Sequence, residues 1–332
     1  MKAIVWTRYG PPEVLQLREV PTPTPQDHEV LIKIHATTVT AGDCEMRNLS
    51  LPLWIRLPMR IWIGLLKPRG TTIPGTELAG EIEAAGKDVQ RLRVGDPVFG
   101  SSGLKFGTCA EYMCLPEDPD EGALAILPSS MTFEEAATVP FGGTEALHFL
   151  RKANIQPGHK VLINGAGGSI GTFAVQLAQY YGAEVTGVDT TAKLDMLRAI
   201  GTDHIIDYTQ EDFAASGATY DVIFDTVGKR SFSRCLRALK PGGCLLLGNP
   251  RPAHMLRALW ASATSSKRVI FEMASKKLDD LLFLTELVEA GTLTTVIDRR
   301  YPLEQIADAH RYVETGQKQG HVVITVGPRA DP

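Results

Sequence analysis

The chain has 332 residues, of which 44% are hydrophobic and 22% are charged, and its formal net charge is −4. At roughly 150 residues per domain this length predicts about two domains, and the apolar content excludes a chain that is disordered throughout. The slightly acidic balance gives no global basic field, so no nucleic-acid partner is expected.

The amino-terminal region and the cysteines predict a cytoplasmic protein. Arg8, Glu13 and Arg18 interrupt the first residues, so no secretory signal is expected. No uncharged apolar stretch reaches the roughly 18 residues that a membrane-spanning helix needs. The five cysteines are odd in number, scattered and without a CxxC pair, which indicates reduced thiols and neither a disulfide framework nor a metal clip.

The first part of the chain is predicted to be β-rich. Apolar and polar residues alternate in Ala3–Trp6, Val30–Ala36 and Leu78–Ala84, as they do in half-buried strands. Glycine and proline between these stretches supply turns. This character extends over residues 1–128.

From Ser129 onwards, helical patterns alternate with short β-branched strands, which predicts βαβ units and a parallel sheet. The predicted strands are Lys160–Asn164, Glu184–Asp189, His204–Asp207, Asp221–Asp225 and Gly243–Leu247, and the predicted helices between the first three are Ser169–Tyr181 and Ala192–Ile200. Beyond about residue 270, two amphipathic helices (Leu278–Ala290 and Leu303–Glu314) precede a closing strand at His321–Val326.

The strongest motif is a glycine-rich turn between a predicted strand and a predicted helix. Its glycines follow the spacing G-x-x-G-x-x-G, with Ala166 where a stricter fingerprint has its first glycine. Glycines permit a tight turn and let the backbone approach a pyrophosphate, while the helix start supplies N–H groups and positive dipole. The turn therefore predicts dinucleotide binding, and its candidate residues are Gly165, Gly167, Gly168, Ser169, Ile170 and Gly171.

An acidic residue, Asp189, follows this motif by about 20 residues at the end of the next predicted strand. A carboxylate there accepts hydrogen bonds from the adenosine ribose hydroxyls and repels a 2′-phosphate, which favours NAD(H). Thr190, Thr191 and Lys193 could hold a 2′-phosphate if Asp189 turns away, so NADP(H) is the alternative. A further alternative for Asp189 is a helix cap.

Long stretches of the chain resemble one superfamily. They are MKAIVWTRYGPPEVLQL at the start, PGTELAGEIEAAGKDVQRLRVGDPVFG at 74–100, AEYMCLP at 110–116, the glycine motif, GTDHIIDYTQEDF at 201–213 and VIDRRYPLEQIADAHRYVETGQKQGHVVITV at 296–326. With these residues the chain resembles the medium-chain dehydrogenase/reductase superfamily, and within it the zinc-independent quinone oxidoreductase-like branch.

This resemblance implies an α/β fold of two domains. A GroES-like β-rich catalytic domain is expected from residues 1–128 and 273–332, and a doubly wound, parallel-sheet Rossmann domain from residues 129–272. The cofactor is expected in the cleft between the two, and a homodimer is expected through edge pairing of the Rossmann sheets.

The resemblance also bears on metal binding. Thr40, Thr76 and Pro140 stand where zinc-dependent members carry Cys, His and Cys. Hydroxyls and proline do not suit Zn²⁺, so no zinc is expected. Without a metal to polarise a carbonyl, a hydrophobic quinone or α,β-unsaturated carbonyl is the favoured acceptor, because it delocalises the incoming charge itself.

The sequence leaves two alternatives to a reductase of quinones or α,β-unsaturated carbonyl compounds. One is a zinc-free alcohol or aldehyde dehydrogenase of the same superfamily. The other is a catalytically silent nucleotide-binding regulatory protein, because an intact glycine turn indicates binding and does not prove turnover.

The catalytic candidates implied by the resemblance are Thr40, beside the nicotinamide, and Asp43, in the active-site loop. Thr40 could position the ribose or donate to the acceptor oxygen, or only satisfy backbone groups at a strand end. Asp43 could act in a proton relay or only cap the following helix. Further cofactor-binding candidates are Thr144, Tyr208, Thr226, Val227, Leu247 and Gly248.

Residues 46–76 differ in charge from the chain as a whole, whose net charge is negative. This segment holds five basic residues and no acids, interleaved with leucines, isoleucines and two tryptophans. Such a pattern is typical of a membrane-surface element, of a gate for acidic substrates, or of a helix packed over a substrate cleft. The last interpretation is favoured, because a hydrophobic acceptor needs an apolar pocket.

Overall fold

The computed structural model describes residues 1–50, 53–69, 72–119, 122–228, 232–249, 257–258, 265–272, 274 and 277–327, with the side chains of 53–55 outside this description. The chain folds into two compact units. Unit 1 comprises Met1–Phe141, Lys276–Thr285 and Ile297–Pro332, and unit 2 comprises Gly142–Ser275 and Glu286–Val296. The domain limits expected from the sequence stay a proposal, and they differ from these units chiefly at residues 129–141 and 286–296.

The strands of the described residues are, in chain order, β1 (Lys2–Trp6), β2 (Leu15–Glu19), β3 (Glu29–Val39), β4 (Glu77–Ala85), β5 (Pro97–Ser101), β6 (Tyr112–Pro116), β7 (Ala123–Ile126), β8 (Lys160–Asn164), β9 (Glu184–Asp189), β10 (His204–Asp207), β11 (Tyr220–Asp225), β12 (Leu239–Leu247), β13 (Arg268–Ile270), β14 (Ile297–Pro302) and β15 (His321–Thr325). The α-helices are α1 (Ala41–Asn48), α2 (Leu53–Ile63), α3 (Phe133–Ala136), α4 (Val139–Ala153), α5 (Ser169–Tyr180), α6 (Leu194–Ala199), α7 (Phe232–Arg237), α8 (Leu278–Glu289) and α9 (Ile306–Glu314). Short 3₁₀ turns at Thr191–Lys193 and Leu303–Gln305 precede α6 and α9, where the sequence predicted continuous helix.

Unit 1 is built on a seven-stranded sheet with β3 at its centre. The strand order is β14-β15-β3-β4-β5-β7, and β6 also pairs with β3. All pairs are antiparallel except β14–β15. The last strand pairs with the carboxyl end of β3, with Val322 opposite Val39, so both ends of the chain build this β-rich unit.

Unit 2 is a six-stranded parallel sheet in the order β10-β9-β8-β11-β12-β13. Val161, Leu162 and Ile163 of β8 are fully buried, as expected for a central strand of a parallel sheet with both faces covered. The predicted Rossmann-type parallel sheet is confirmed. The chain order reverses between β8 and β11, and ligands of such sheets bind outside the strand ends at this switch point.

A buried thiol–imidazole pair joins α1 to α9 in unit 1. Cys44 Sγ lies 3.3 Å from His310 Nδ1, and both side chains are buried. Burial, assisted by the nearby Arg47 guanidinium, lowers the pKa of His310 to about 3. Burial also raises the pKa of Cys44, so this thiol is not a nucleophile at neutral pH.

We expect His310 to make stability depend on pH below about 6.5. The unfolded histidine takes up a proton near pH 6.5, whereas the folded one does so only near pH 3, so acid favours the unfolded state between these values. One such group lowers the free energy of unfolding by about 2 kcal/mol at pH 5 relative to pH 8. Urea denaturation of His310→Gln should therefore show a smaller loss between these two pH values than the wild type.

The exposed His28 offers a matched control, since His28→Gln should keep the pH dependence of the wild type. If His310→Gln keeps the full pH dependence of the wild type, a group other than His310 causes the loss of stability in acid.

Candidate dinucleotide-binding and active-site residues

The carboxyl ends of β8 and β11 are held together by one buried carboxylate. Asn164 and Asp225 are register partners at the strand ends, and Asn164 Nδ2 donates to Asp225 Oδ1 at 2.9 Å. The same oxygen accepts the N–H groups of Val227 and Gly228 at 3.1 Å each. Asp225 is 2% exposed, so this carboxylate fixes both strand ends and the turn after β11. The sequence places Asp225 at the carboxyl edge of the sheet, but it does not reveal that this carboxylate holds the two strand ends and the following turn together.

The glycine motif forms a tight turn directly after β8. Gly165 has φ +84°, and a Cβ there would lie 2.5 Å from both Thr226 Oγ1 and Val227 Cγ2. A Cβ on Gly171 would lie 2.2 Å from the carbonyl oxygen of Gly165 and 2.6 Å from that of Ala166. These two positions therefore accept only glycine, and Gly171 lets α5 start directly against the turn.

The amino terminus of α5 completes this cradle. The first-turn N–H groups of an α-helix, here including those of Ile170 and Gly171, have no acceptor within the helix, and the helix dipole is positive at this end. Gly168 is the N-cap, with extended backbone and no side chain in the way of a ligand. A helix amino terminus that follows a glycine turn in this way fits the pyrophosphate of a dinucleotide.

Asp189 and Lys193 form a buried ion pair beside this turn. Asp189 Oδ1 lies 3.2 Å from Lys193 Nζ, and the two side chains are 5% and 7% exposed. Asp189 Oδ2 accepts the N–H of Gly167 at 2.8 Å, and Oδ1 accepts that of Thr190 at 2.9 Å. A Cβ on Gly167 would lie 2.6 Å from Lys193 Cδ, so this glycine makes room for the pair. Both oxygens of Asp189 are engaged within the protein, and its contact to a ribose stays a prediction.

The remaining residues predicted to bind the cofactor do not all lie at the switch point. Thr226 Oγ1 donates to the carbonyl of Asn164 at 3.0 Å, and the Gly248 N–H donates to that of Asp225 at 3.0 Å. Thr226, Val227 and Gly248 are thereby gathered at the switch point with Gly165. Tyr208 is exposed after β10, Leu247 has its side chain in the core, and Thr144 is buried in α4.

Thr191, like Lys193 a residue predicted for a 2′-phosphate, is also engaged within the protein. Its hydroxyl donates to the Asp207 carboxylate at the end of β10, so it is already committed to the neighbouring strand.

In unit 1, Thr40 and Asp43 form the amino-terminal cap of α1. Thr40 Oγ1 donates to Asp43 Oδ2 at 2.6 Å, and the Thr40 N–H donates to the same oxygen at 2.8 Å. The Asp43 N–H donates back to Thr40 Oγ1 at 3.2 Å, which closes a reciprocal capping box. The structure thus shows the capping role for Asp43, and the proton-relay role of the pair stays a prediction.

Glu77 is a buried carboxylate at the start of β4. One of its oxygens accepts the Phe141 N–H at 2.7 Å, and the other accepts the hydroxyl of Thr38 in β3. Its exposure is 1%, so it braces the end of β3 that leads into Thr40.

The donor set at the three positions of the zinc ligands does not fit Zn²⁺. The Thr40 hydroxyl is committed to Asp43, Thr76 offers a second hydroxyl, and Pro140 offers no donor side chain. Within the described ranges, no group of three or more His, Cys, Asp or Glu side chains is arranged to hold a metal ion. Zinc independence itself stays a prediction.

Comparison with known proteins identifies the family. Residues 26–119 match the alcohol dehydrogenase GroES-like domain, and residues 200–324 match the family described as zinc-binding dehydrogenase. The sequence is 31% identical to 2-methylene-furan-3-one reductase of Solanum lycopersicum and 30% identical to the chloroplastic NADPH-dependent alkenal/one oxidoreductase of Arabidopsis thaliana, over 98% of this chain and 79% of each relative. The solved structure of the quinone oxidoreductase from Coxiella burnetii superposes with a TM-score of 0.87 at 29% identity, covering 98% of this chain and 99% of that one.

The GroES-like unit and the glycine cradle of the parallel sheet together define an oxidoreductase of the dehydrogenase/reductase class. The chain belongs to the medium-chain dehydrogenase/reductase superfamily, in its quinone oxidoreductase-like branch. Among the described residues, no helix combines the length and the apolar character needed to cross a bilayer.

Proposed function

We propose that this protein is a zinc-independent NAD(P)H-dependent reductase of quinones or α,β-unsaturated carbonyl compounds. The observation that carries the proposal is the cradle at the switch point, where Gly165 and Gly171 tolerate no side chain and α5 presents its amino terminus. When bound there, the nicotinamide nucleotide supplies a hydride. Relatives named for alkenal/one and quinone reduction, at about 30% identity, support the acceptor class.

The acceptor class also follows from what the residues of unit 1 can offer. Positions 40, 76 and 140 supply no soft metal ligand, so a reduced acceptor is stabilised by hydrogen bonds and by its own conjugation. Thr40 and Asp43 are the proposed proton path. The Thr40 hydroxyl, which donates to Asp43 Oδ2 at 2.6 Å, would give its proton to the reduced acceptor and take a replacement proton from solvent. The Asp43 N–H, which donates to Thr40 Oγ1 at 3.2 Å, would keep the oxygen in place during this transfer.

We further propose that NADPH is the preferred cofactor, in place of the NADH favoured by Asp189 alone. The carboxylate of Asp189 is neutralised by Lys193 and satisfied by two backbone N–H groups, which removes most of its repulsion toward a 2′-phosphate. The relative from Arabidopsis thaliana is NADPH-dependent by name, which supports this choice.

Lys193→Met is expected to lower kcat/KM for NADPH about tenfold more than for NADH, because the Asp189 charge is then uncompensated and faces the 2′-phosphate. The measurement is nucleotide oxidation at 340 nm with a fixed enone. Lys240→Met is the matched control, since Lys240 pairs with Asp221 at the amino end of the same sheet. An equal loss for both nucleotides would remove Lys193 from cofactor selection.

The activity itself is tested by following NADPH and NADH in parallel with a quinone, an enone, an aldehyde and no acceptor. We expect oxidation that requires the quinone or the enone. Turnover restricted to aldehydes or alcohols would favour the zinc-free alcohol dehydrogenase alternative. Nucleotide binding without any acceptor-dependent oxidation would favour a regulatory nucleotide-binding protein.

We also propose that the protein is a homodimer and that it is located in the cytoplasm. A homodimer through the edges of the unit 2 sheets is tested by sedimentation velocity. A cytoplasmic location is tested by fractionation of the source cells.

A further inference from the structure

The segment 56–69, which includes most of α2, is firmly attached to unit 1 along one side. Ile63 is 6% exposed within the core, and the hydroxyl of Tyr9 donates to the carbonyl of Gly64 at 2.6 Å. Arg60 Nε donates to the carbonyl of Leu65 at 2.8 Å, and an Arg69 nitrogen donates to that of Ile61 at 3.0 Å. The burial of Ile63 and the bond from Tyr9 thus anchor the segment on unit 1, and the two arginine bonds brace it internally.

The other side of segment 56–69 carries an unusual concentration of exposed apolar side chains. Leu57 and Ile61 are each 57% exposed, Leu65 is 59% exposed and Leu66 is 82% exposed. Trp62 is 49% exposed and rests against Phe106 at 5.6 Å between ring centroids. Single exposed apolar residues are ordinary, whereas a cluster of five on one anchored segment marks an interaction surface.

The charged residues of the segment itself are all positive. Arg56, Arg60, Lys67 and Arg69 lie in the segment, and residues 46–76 contain no acid. Arg60 is placed over the Tyr9 ring at 5.6 Å, while Arg56, Lys67 and Arg69 are exposed. Apolar side chains rimmed by cations match both features of an anionic bilayer, its acyl boundary and its negative headgroups.

We propose that segment 56–69 is a peripheral docking surface for anionic phospholipid membranes. Leu57, Ile61, Leu65 and Leu66 enter the headgroup–acyl boundary, and Arg56, Lys67 and Arg69 contact lipid phosphates. The charge complementarity selects this occupant, because an apolar protein partner would not require a rim of one sign. The proposal does not depend on the reductase activity.

The test is co-sedimentation of the full chain with phosphatidylcholine vesicles, with and without phosphatidylserine, at two salt concentrations. We expect binding only to the anionic vesicles, weakened by salt because the surface charges are then screened. Arg56→Gln/Lys67→Gln should lower the partition coefficient about twentyfold, since each cation near such a surface contributes roughly a factor of five. Leu65→Ser/Leu66→Ser should lower it by at least about tenfold.

Arg93→Gln/Val94→Ser is the matched control, because Arg93 and Val94 are an exposed cation and an exposed apolar residue elsewhere in unit 1. This control should bind like the wild type. Absence of vesicle binding, or binding that ignores lipid charge and salt, overturns the proposal. It is also overturned if Leu65→Ser/Leu66→Ser changes the oligomeric state in sedimentation velocity and leaves vesicle binding intact, since the cluster is then a protein interface.

Discussion

Gly171→Ala is expected to abolish measurable NADPH binding and to lower the stability of unit 2 by about 3 kcal/mol. The added methyl would lie 2.2 Å from one backbone oxygen and 2.6 Å from another, and neither can rotate away. The start of α5 would have to move off the turn, which separates the N–H groups that form the phosphate cradle.

Gly168→Ala, three residues earlier in the same turn, is the control for the effect of close packing at Gly171. Its backbone is extended with φ −90°, and the new methyl would have its nearest contact at 3.4 Å. Urea denaturation should find Gly168→Ala close to the wild type in stability, and fluorescence titration with NADPH then reports the effect of a side chain facing the ligand. If both variants are equally stable, close packing at Gly171 is not what this glycine provides.

The second large effect is expected for Asp225→Ala. Removal of this buried carboxylate leaves the Asn164 amide and the N–H groups of Val227 and Gly228 without their shared acceptor. Buried donors deprived of a charged acceptor cost several kcal/mol, so we expect a loss of about 4 kcal/mol in the free energy of unfolding. Nucleotide affinity should fall with it, because the turn after β11 lies beside Gly165.

Asp225→Asn should recover most of this stability, since its amide oxygen can accept the same three bonds. Asp221→Ala serves as the control on the same strand, because Asp221 lies at the opposite end, is only partly buried and pairs with Lys240. Chemical denaturation measures the free energy of unfolding of the three variants. If Asp225→Asn loses as much stability as Asp225→Ala, the negative charge is needed and an acceptor oxygen at this position is not enough.

Five of the six strands of the parallel sheet could be predicted from the sequence, and the edge strand β13 (Arg268–Ile270) was not among them. Lys160–Asn164, Glu184–Asp189 and His204–Asp207 are observed with the predicted bounds, because short β-branched runs between glycine-containing turns have few alternatives. β12 begins four residues before its predicted start at Gly243, because Leu239 joins the ladder opposite Tyr220 and a bulge absorbs the intervening proline and glycine.

The finer arrangement of the site could not be predicted, because it depends on side-chain directions. The spacing of Asp189 and Lys193 is compatible with an exposed pair or a buried one, and only the tight turn at Gly167 brings the carboxylate inward. The contact between Cys44 and His310 joins residues far apart in the sequence, and no local pattern signals it. For Thr40 and Asp43, the capping box was foreseeable from spacing, whereas any role in catalysis depends on a bound acceptor.

The pairing of β15 with β3 has a consequence for how the protein is made. β3 is among the first strands to leave the ribosome, yet the strand that covers its carboxyl end, β15, is the last of the fold to be synthesised. Until then the nascent chain presents an open strand edge, which invites pairing with other chains. Unit 2 contains all its strands within one continuous stretch and can close earlier. We therefore expect fast completion of translation, or binding of the growing chain by a chaperone, to protect β3 until β15 has been made.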